Sequence, residues 1–188
     1  MKNGGIMNNR ERIKLVFLHG VFICYILFLI KLLLLSRVSI MELFNSQRTL
    51  TRSINLIPFH SIIEYISGGS ANIRKFAYSN VVGNIEIFIP LGVYLSLLKK
   101  DKRVITNLLF IFLVSLFVEV IQGLLGIGAA DIDDIILNCV GGLIGILSYK
   151  FLLLILRDEK KVHTAITMLC AMGLPVLLYL LFMVKLRL

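Results

Sequence analysis

Five apolar runs, each about as long as a bilayer is thick, limit what this chain can become. Residues 13–35, 78–98, 104–126, 135–156 and 165–184 are predominantly hydrophobic, and about 20 residues rising 1.5 Å each cross a hydrocarbon core roughly 30 Å thick. Inside hydrocarbon every backbone N–H and C=O needs a partner within the protein, so runs of this length fold as helices. The expected fold is all-α: an integral membrane bundle of about five transmembrane helices. The composition agrees, because only 16% of the residues are charged, against about 25% in soluble domains.

The formal net charge of +9 would suggest a nucleic-acid partner in a soluble protein. Here the basic residues flank the apolar runs without aromatic interleaving, so nucleic acid is excluded as a partner and the charges report orientation. With the N-terminus inside, the cytoplasmic segments hold Lys2, Arg10, Arg12 and Lys14, then Lys99, Lys100, Lys102 and Arg103, then Arg157, Lys160 and Lys161. The outer segments hold none in the turn around residue 130 and only Lys185 and Arg187 in the tail. Eleven against two orients the N-terminus in the cytoplasm and the C-terminus outside. The long second segment, with Arg37, Arg48, Arg52, Arg74 and Lys75, runs against this count, but long translocated segments follow the rule less strictly.

These boundaries divide the chain into a cytoplasmic tail (1–12), an anchor helix (13–35), an external loop (36–77), a core of three spans (78–156), and a final span with its tail (157–188). The anchor exceeds the roughly 7–15 apolar residues of a signal peptide and no cleavage site follows it, so it reads as retained. Lys31 near its far end can snorkel to the interface, and His19 reads as an interfacial histidine. Within the loop, Ile62, Ile63 and Ile66 share one helical face, which predicts a short interfacial helix over 60–67. In the second span Pro90 lacks an N–H, which frees the carbonyl of Glu86. Cys24, Cys139 and Cys170 lie in apolar runs and suggest neither disulfides nor zinc.

Polar residues inside the spans fall at one depth. Asn84 and Glu86 on the second span lie one to two turns below the outer surface, Glu119 and Gln122 lie at a similar level on the third, and Asn138 lies about one turn down the fourth. Gly141, Gly142 and Gly145 share a face with Asn138 and permit close approach of a neighbouring helix. An ionisable group costs about 2.5–3.5 kcal/mol inside a bilayer on insertion scales, so such groups face a partner or water. Two readings stand: a polar pocket open to the outside, or hydrogen bonds that tie the bundle together.

Asp131, Asp133 and Asp134 stand at the mouth of the fourth span. One or two of them suffice to cap a helix N-terminus; the third, with Glu119, supplies enough oxygens for a divalent cation or a cationic ligand group. The spacing matches no EF-hand, and no H-E-x-x-H, P-loop, G-x-S-x-G or dinucleotide fingerprint occurs. No resident cofactor is expected beyond such a cation.

One ordered set of motifs points to a family. Asn55-Leu56-Ile57-Pro58-Phe59, Gly83-Asn84 with Phe88-Ile89-Pro90-Leu91-Gly92, Glu119-Val120-Ile121-Gln122, and Asp131-Ile132-Asp133-Asp134 through Asn138 to Gly145 together resemble the VanZ-like family over roughly residues 55–156. The resemblance implies a small multi-pass protein of the bacterial cell membrane, mostly Gram-positive, in a family named after a protein giving low-level resistance to the glycopeptide teicoplanin. Two positions depart from the family pattern: Glu86, where an apolar residue is expected, and Ala129-Ala130, where an arginine often precedes the aspartates.

The function expected is binding or modulation of a lipid-linked cell-wall component, or of a lipid-anchored glycopeptide, by the outward-facing set Asn84, Glu86, Glu119, Gln122, Asp131, Asp133, Asp134 and Asn138. The alternative is a membrane enzyme acting on a lipid headgroup, with Glu119 or an aspartate as general base and a metal in support; against it, His19 and His163 fall near the cytoplasmic side and His60 in the loop. A transporter is disfavoured, because about five spans without inverted repeats leave little room for alternating access.

Overall fold

The computed structural model describes residues 8–35, 53–67, 70–98, 103–127 and 129–183. The basic turn at Lys99, Lys100 and Lys102, the loop arginines Arg37, Arg48 and Arg52, and the tail residues Lys2, Lys185 and Arg187 lie outside them. The elements are α1 (Asn9–Ile30) with a π-helical last turn (Lys31–Leu35), β1 (Ser53–Asn55), α2 (His60–Ser67), α3 (Ala71–Leu98), α4 (Val104–Leu125), β2 (Ala129–Asp131), α5 (Ile132–Leu156) and α6 (Glu159–Met183). Five of these helices are long and apolar enough to cross a membrane. The first, second and last begin several residues before their apolar runs, because helical hydrogen bonding continues into the charged flanks. A short helix is present over the residues expected, as α2.

α3 and α5 form the centre, running in the same direction with their backbones in contact. A Cβ added at Gly141 would collide with the Ile85 carbonyl, one at Gly145 with the Ile89 carbonyl, and one at Gly92 with the Gly142 carbonyl. Lipid is as apolar as leucine, so burial alone does not drive helices together in a bilayer; small residues permit the close backbone approach that does.

α4 packs against α5 in the opposite direction, with its polarity inverted relative to a soluble helix. Its buried stripe is Asn107, Ile111, Ser115, Glu119 and Gln122, while Leu113, Phe117 and Leu124 are exposed to the bilayer. Ile111 fills the space beside Gly142. α1 crosses α3 with Tyr25 donating to the Ile87 carbonyl and Phe22 stacked on Tyr94 at 3.4 Å between ring centroids. α6 runs alongside α1 at the edge of the bundle, and only Val162 and Ile166 of its 25 residues are buried.

β1 and β2 pair in parallel, Ser53 with Ala129, Ile54 with Ala130 and Asn55 with Asp131. This pairing adds a short two-stranded element to a fold expected to be wholly helical, and it ties the segment before α2 to the acidic turn. The end of the bundle that carries this pair is opposite the N-terminus of α1.

Candidate functional site at the acidic end of the bundle

The start of α5 is held from three directions. Asp131, in extended conformation, is its N-cap and accepts from the Asp133 N–H at 2.9 Å, satisfying one of the donors every helix start leaves open. From α4, Glu119 Oε2 accepts from the Asp131 N–H at 2.9 Å. From the loop, Asn55 Nδ2 donates to Asp131 Oδ2 at 3.3 Å, and the Phe59 N–H donates to Asp133. Phe59 takes a left-handed backbone at φ 65°, an uncommon conformation for a bulky residue. The Asn55 to Phe59 motif is thus a clasp over the helix start: Asn55 Oδ1 also accepts from the Ile57 N–H at 3.2 Å, fixing the turn.

One layer deeper, Asp134 joins α5 to α3. It accepts from Asn84 Nδ2 and from Asn80 Nδ2 at 3.3 Å. Asn138, one turn further down α5, donates to Ser115 Oγ of α4 at 2.9 Å. Gln122 Nε2 donates to the Leu33 carbonyl at 2.8 Å, in the last turn of the first span. Asn84, Glu119, Gln122, Asp133, Asp134 and Asn138 are all buried. The amide oxygens of Gln122 and Asn138 find no hydrogen-bond partner among the described residues.

Seven of the eight residues singled out from the sequence therefore meet at this end: Asn84, Glu119, Gln122, Asp131, Asp133, Asp134 and Asn138. Glu86 does not join them. It is exposed on α3, because two residues from Asn84 is about 200° around a helix of 3.6 residues per turn. Equal depth does not place two residues on one face.

Three contributors were missed. Ser115 carried a legible signal, four residues before Glu119 on the same helical face, and Asn80 stood four before Asn84. Asn55 sat inside a motif whose partner, 76 residues away, no local pattern could indicate. Among the described residues no three His, Cys, Asp or Glu side chains come together in a set that could hold a metal ion.

Beside the cluster lies a cavity of about 690 Å³ between α4 and α5. Its walls are Leu108, Phe112 and Leu116 of α4 and Ile136, Cys139 and Leu143 of α5, with Glu119, Asp131 and Leu56 at one end. From Leu108 to Glu119 it follows α4 for about 16 Å. Glu119 and Asp131 thus border one end of an apolar groove, their carboxylates engaged at the start of α5.

Fold and site together define a polytopic helical membrane protein with a buried polar cluster at one end and an apolar groove leading from it. The family profile described as VanZ/LLP1 matches residues 22–155, and the chain belongs to that family. It is 34% identical to Protein VanZ of Enterococcus faecium over 131 residues, covering 69% of this chain and 71% of that relative. No solved structure matches the chain. It is a multi-pass bacterial membrane protein.

Proposed function

We propose that the groove between α4 and α5 receives the hydrocarbon chain of a lipid-linked envelope component, or of a lipid-anchored glycopeptide, and that the Glu119 and Asp131 end engages its polar head. The observation that carries this reading is the cavity of about 690 Å³, apolar along its length and flanked by carboxylates at one end only. Ligand sites of roughly 300–1,000 Å³ that are mostly apolar with a few convergent polar groups are the usual form of a small-molecule pocket.

The charge count puts the carboxylate end outside, where an envelope precursor or an antibiotic would be met. The backbone N–H of Asp131 holds the Glu119 carboxylate and the Asn55 amide holds that of Asp131, so the polar end of the site is fixed before a headgroup arrives. Membership of a family that includes Protein VanZ supports the same reading, with a role in glycopeptide susceptibility as the proposed outcome.

The test compares hosts expressing the wild type, Glu119→Gln and Leu116→Trp. Glu119→Gln keeps an oxygen for the Asp131 N–H and removes the charge; Leu116→Trp fills the groove. Both variants are expected to lose protection against a glycopeptide that carries an acyl chain while leaving susceptibility to one without it unchanged. Full protection by both would refute the reading.

A further inference from the structure

Glu86 is a carboxylate that the cluster does not use, and its position on α3 is costly. It lies inside the span Ala77–Leu98, about 13 Å from that span's outer end, is exposed, and makes no hydrogen bond or ion pair with any described residue. An ionisable side chain turned to hydrocarbon carries a penalty that a partner relieves.

The face around it is open and narrow. Ser79, Gly83, Glu86 and Pro90 follow at intervals of four, three and four, which keeps them on one stripe of the helix. Ser79 and Pro90 are exposed, and a Cβ built on Gly83 meets nothing within 4 Å. Ser79 and Gly83 have the small-x-x-x-small spacing that lets helices approach closely in a bilayer.

We propose that this stripe is a contact between two copies of the chain, packing α3 against α3 about a two-fold axis with the two Glu86 side chains hydrogen-bonded across it. The chemistry favours a second copy. Two copies inserted with the same orientation run parallel, so Glu86 meets Glu86 at one depth. A carboxyl group that carries its proton has one O–H donor together with acceptor oxygens. Two such groups satisfy one another, which is the self-complementarity an isologous contact requires. Pro90 adds the Glu86 carbonyl as a further acceptor on the same stripe, since it has no N–H to give. No residue of α3 lines the groove between α4 and α5, so the contact leaves that groove accessible.

The experiment uses the purified full chain reconstituted alone in lipid vesicles. In a background with Cys24, Cys139 and Cys170 replaced by alanine, Gly83→Cys should form a covalent dimer under membrane-permeant oxidant. Leu113→Cys, on the bilayer face of α4, should not. Energy transfer between labelled copies on lipid dilution then measures association. Glu86→Gln, which also donates and accepts, should associate within about two-fold of the wild type, and Glu86→Leu about five- to twenty-fold more weakly, as expected for loss of one or two interhelical hydrogen bonds. Gly83→Leu enters open space in the monomer, so it should fold and still weaken association. A thermal melt of each variant separates loss of contact from loss of fold. Equal cross-linking at Gly83→Cys and Leu113→Cys would overturn the proposal, as would undiminished association of a folded Gly83→Leu or Glu86→Leu variant.

Discussion

Two parallel seams of this bundle, α3 with α5 and α1 with α6, are held by opposite means. The α3–α5 seam brings backbone to backbone through Gly92, Gly141 and Gly145 and closes at its acidic end on the contacts of Asp134 with Asn84, buried, and with Asn80, part-buried. The α1–α6 seam is fastened at its two ends, by Lys14 Nζ donating to Thr164 Oγ1 at 2.8 Å and by Lys31 Nζ donating to the Leu181 carbonyl. The family match ends at residue 155, so it includes the first seam and omits α6. The difference separates the part of the fold that builds the candidate site from a helix that flanks it.

The largest effect should come from breaking the central seam. Gly145→Leu places a side chain where the Ile89 carbonyl already sits; overpacking costs about 1–3 kcal/mol even where side chains can shift, and here the obstacle is backbone. The variant should fail to yield monodisperse protein on size exclusion. Next comes Asp134→Leu, which takes the shared acceptor from the Asn84 and Asn80 amides and should cost about 1–3 kcal/mol for the buried Asn84 amide. Its melting temperature should fall clearly, while Asp134→Asn should recover part of the loss. Asp131→Ala removes the N-cap of α5 and should cost about 0.5–2 kcal/mol, read in the same melt, with proteolysis of the 53–59 segment rising as the Asn55 contact is lost. The smallest effect belongs to the outer seam. Lys31→Met should cost about 0.5–1.5 kcal/mol and leave protection in the host unchanged; a fall comparable to that of Asp134→Leu would erase the distinction between the seams.

Much of this arrangement was legible because bilayers restrict the options. Length and hydropathy defined the spans, and Glu119 and Gln122, three residues apart, marked the polar face of α4, since a polar residue in a span turns inward; Ser115 on the same stripe went unread. The glycine run after Asn138 announced a close neighbour. Azimuth was lost where depth alone was counted, as Glu86 shows. The β1–β2 pair was illegible for a different reason: strands of three residues have no readable period, and register across 76 residues is set by the tertiary contacts of Asn55 and Asp131. Those contacts also explain why the acidic turn is more than a cap, since Glu119 and the loop both attach to it.

The central claim is that Glu119 and Asp131 select the head of a chain lodged between α4 and α5. Native mass spectrometry of the purified protein with its retained lipid tests it directly, comparing the wild type with Glu119→Gln. The wild type should retain one class of lipid-linked species enriched over the bulk membrane lipids, and Glu119→Gln should lose that enrichment while remaining folded. An identical bulk-lipid profile in both proteins would contradict the claim.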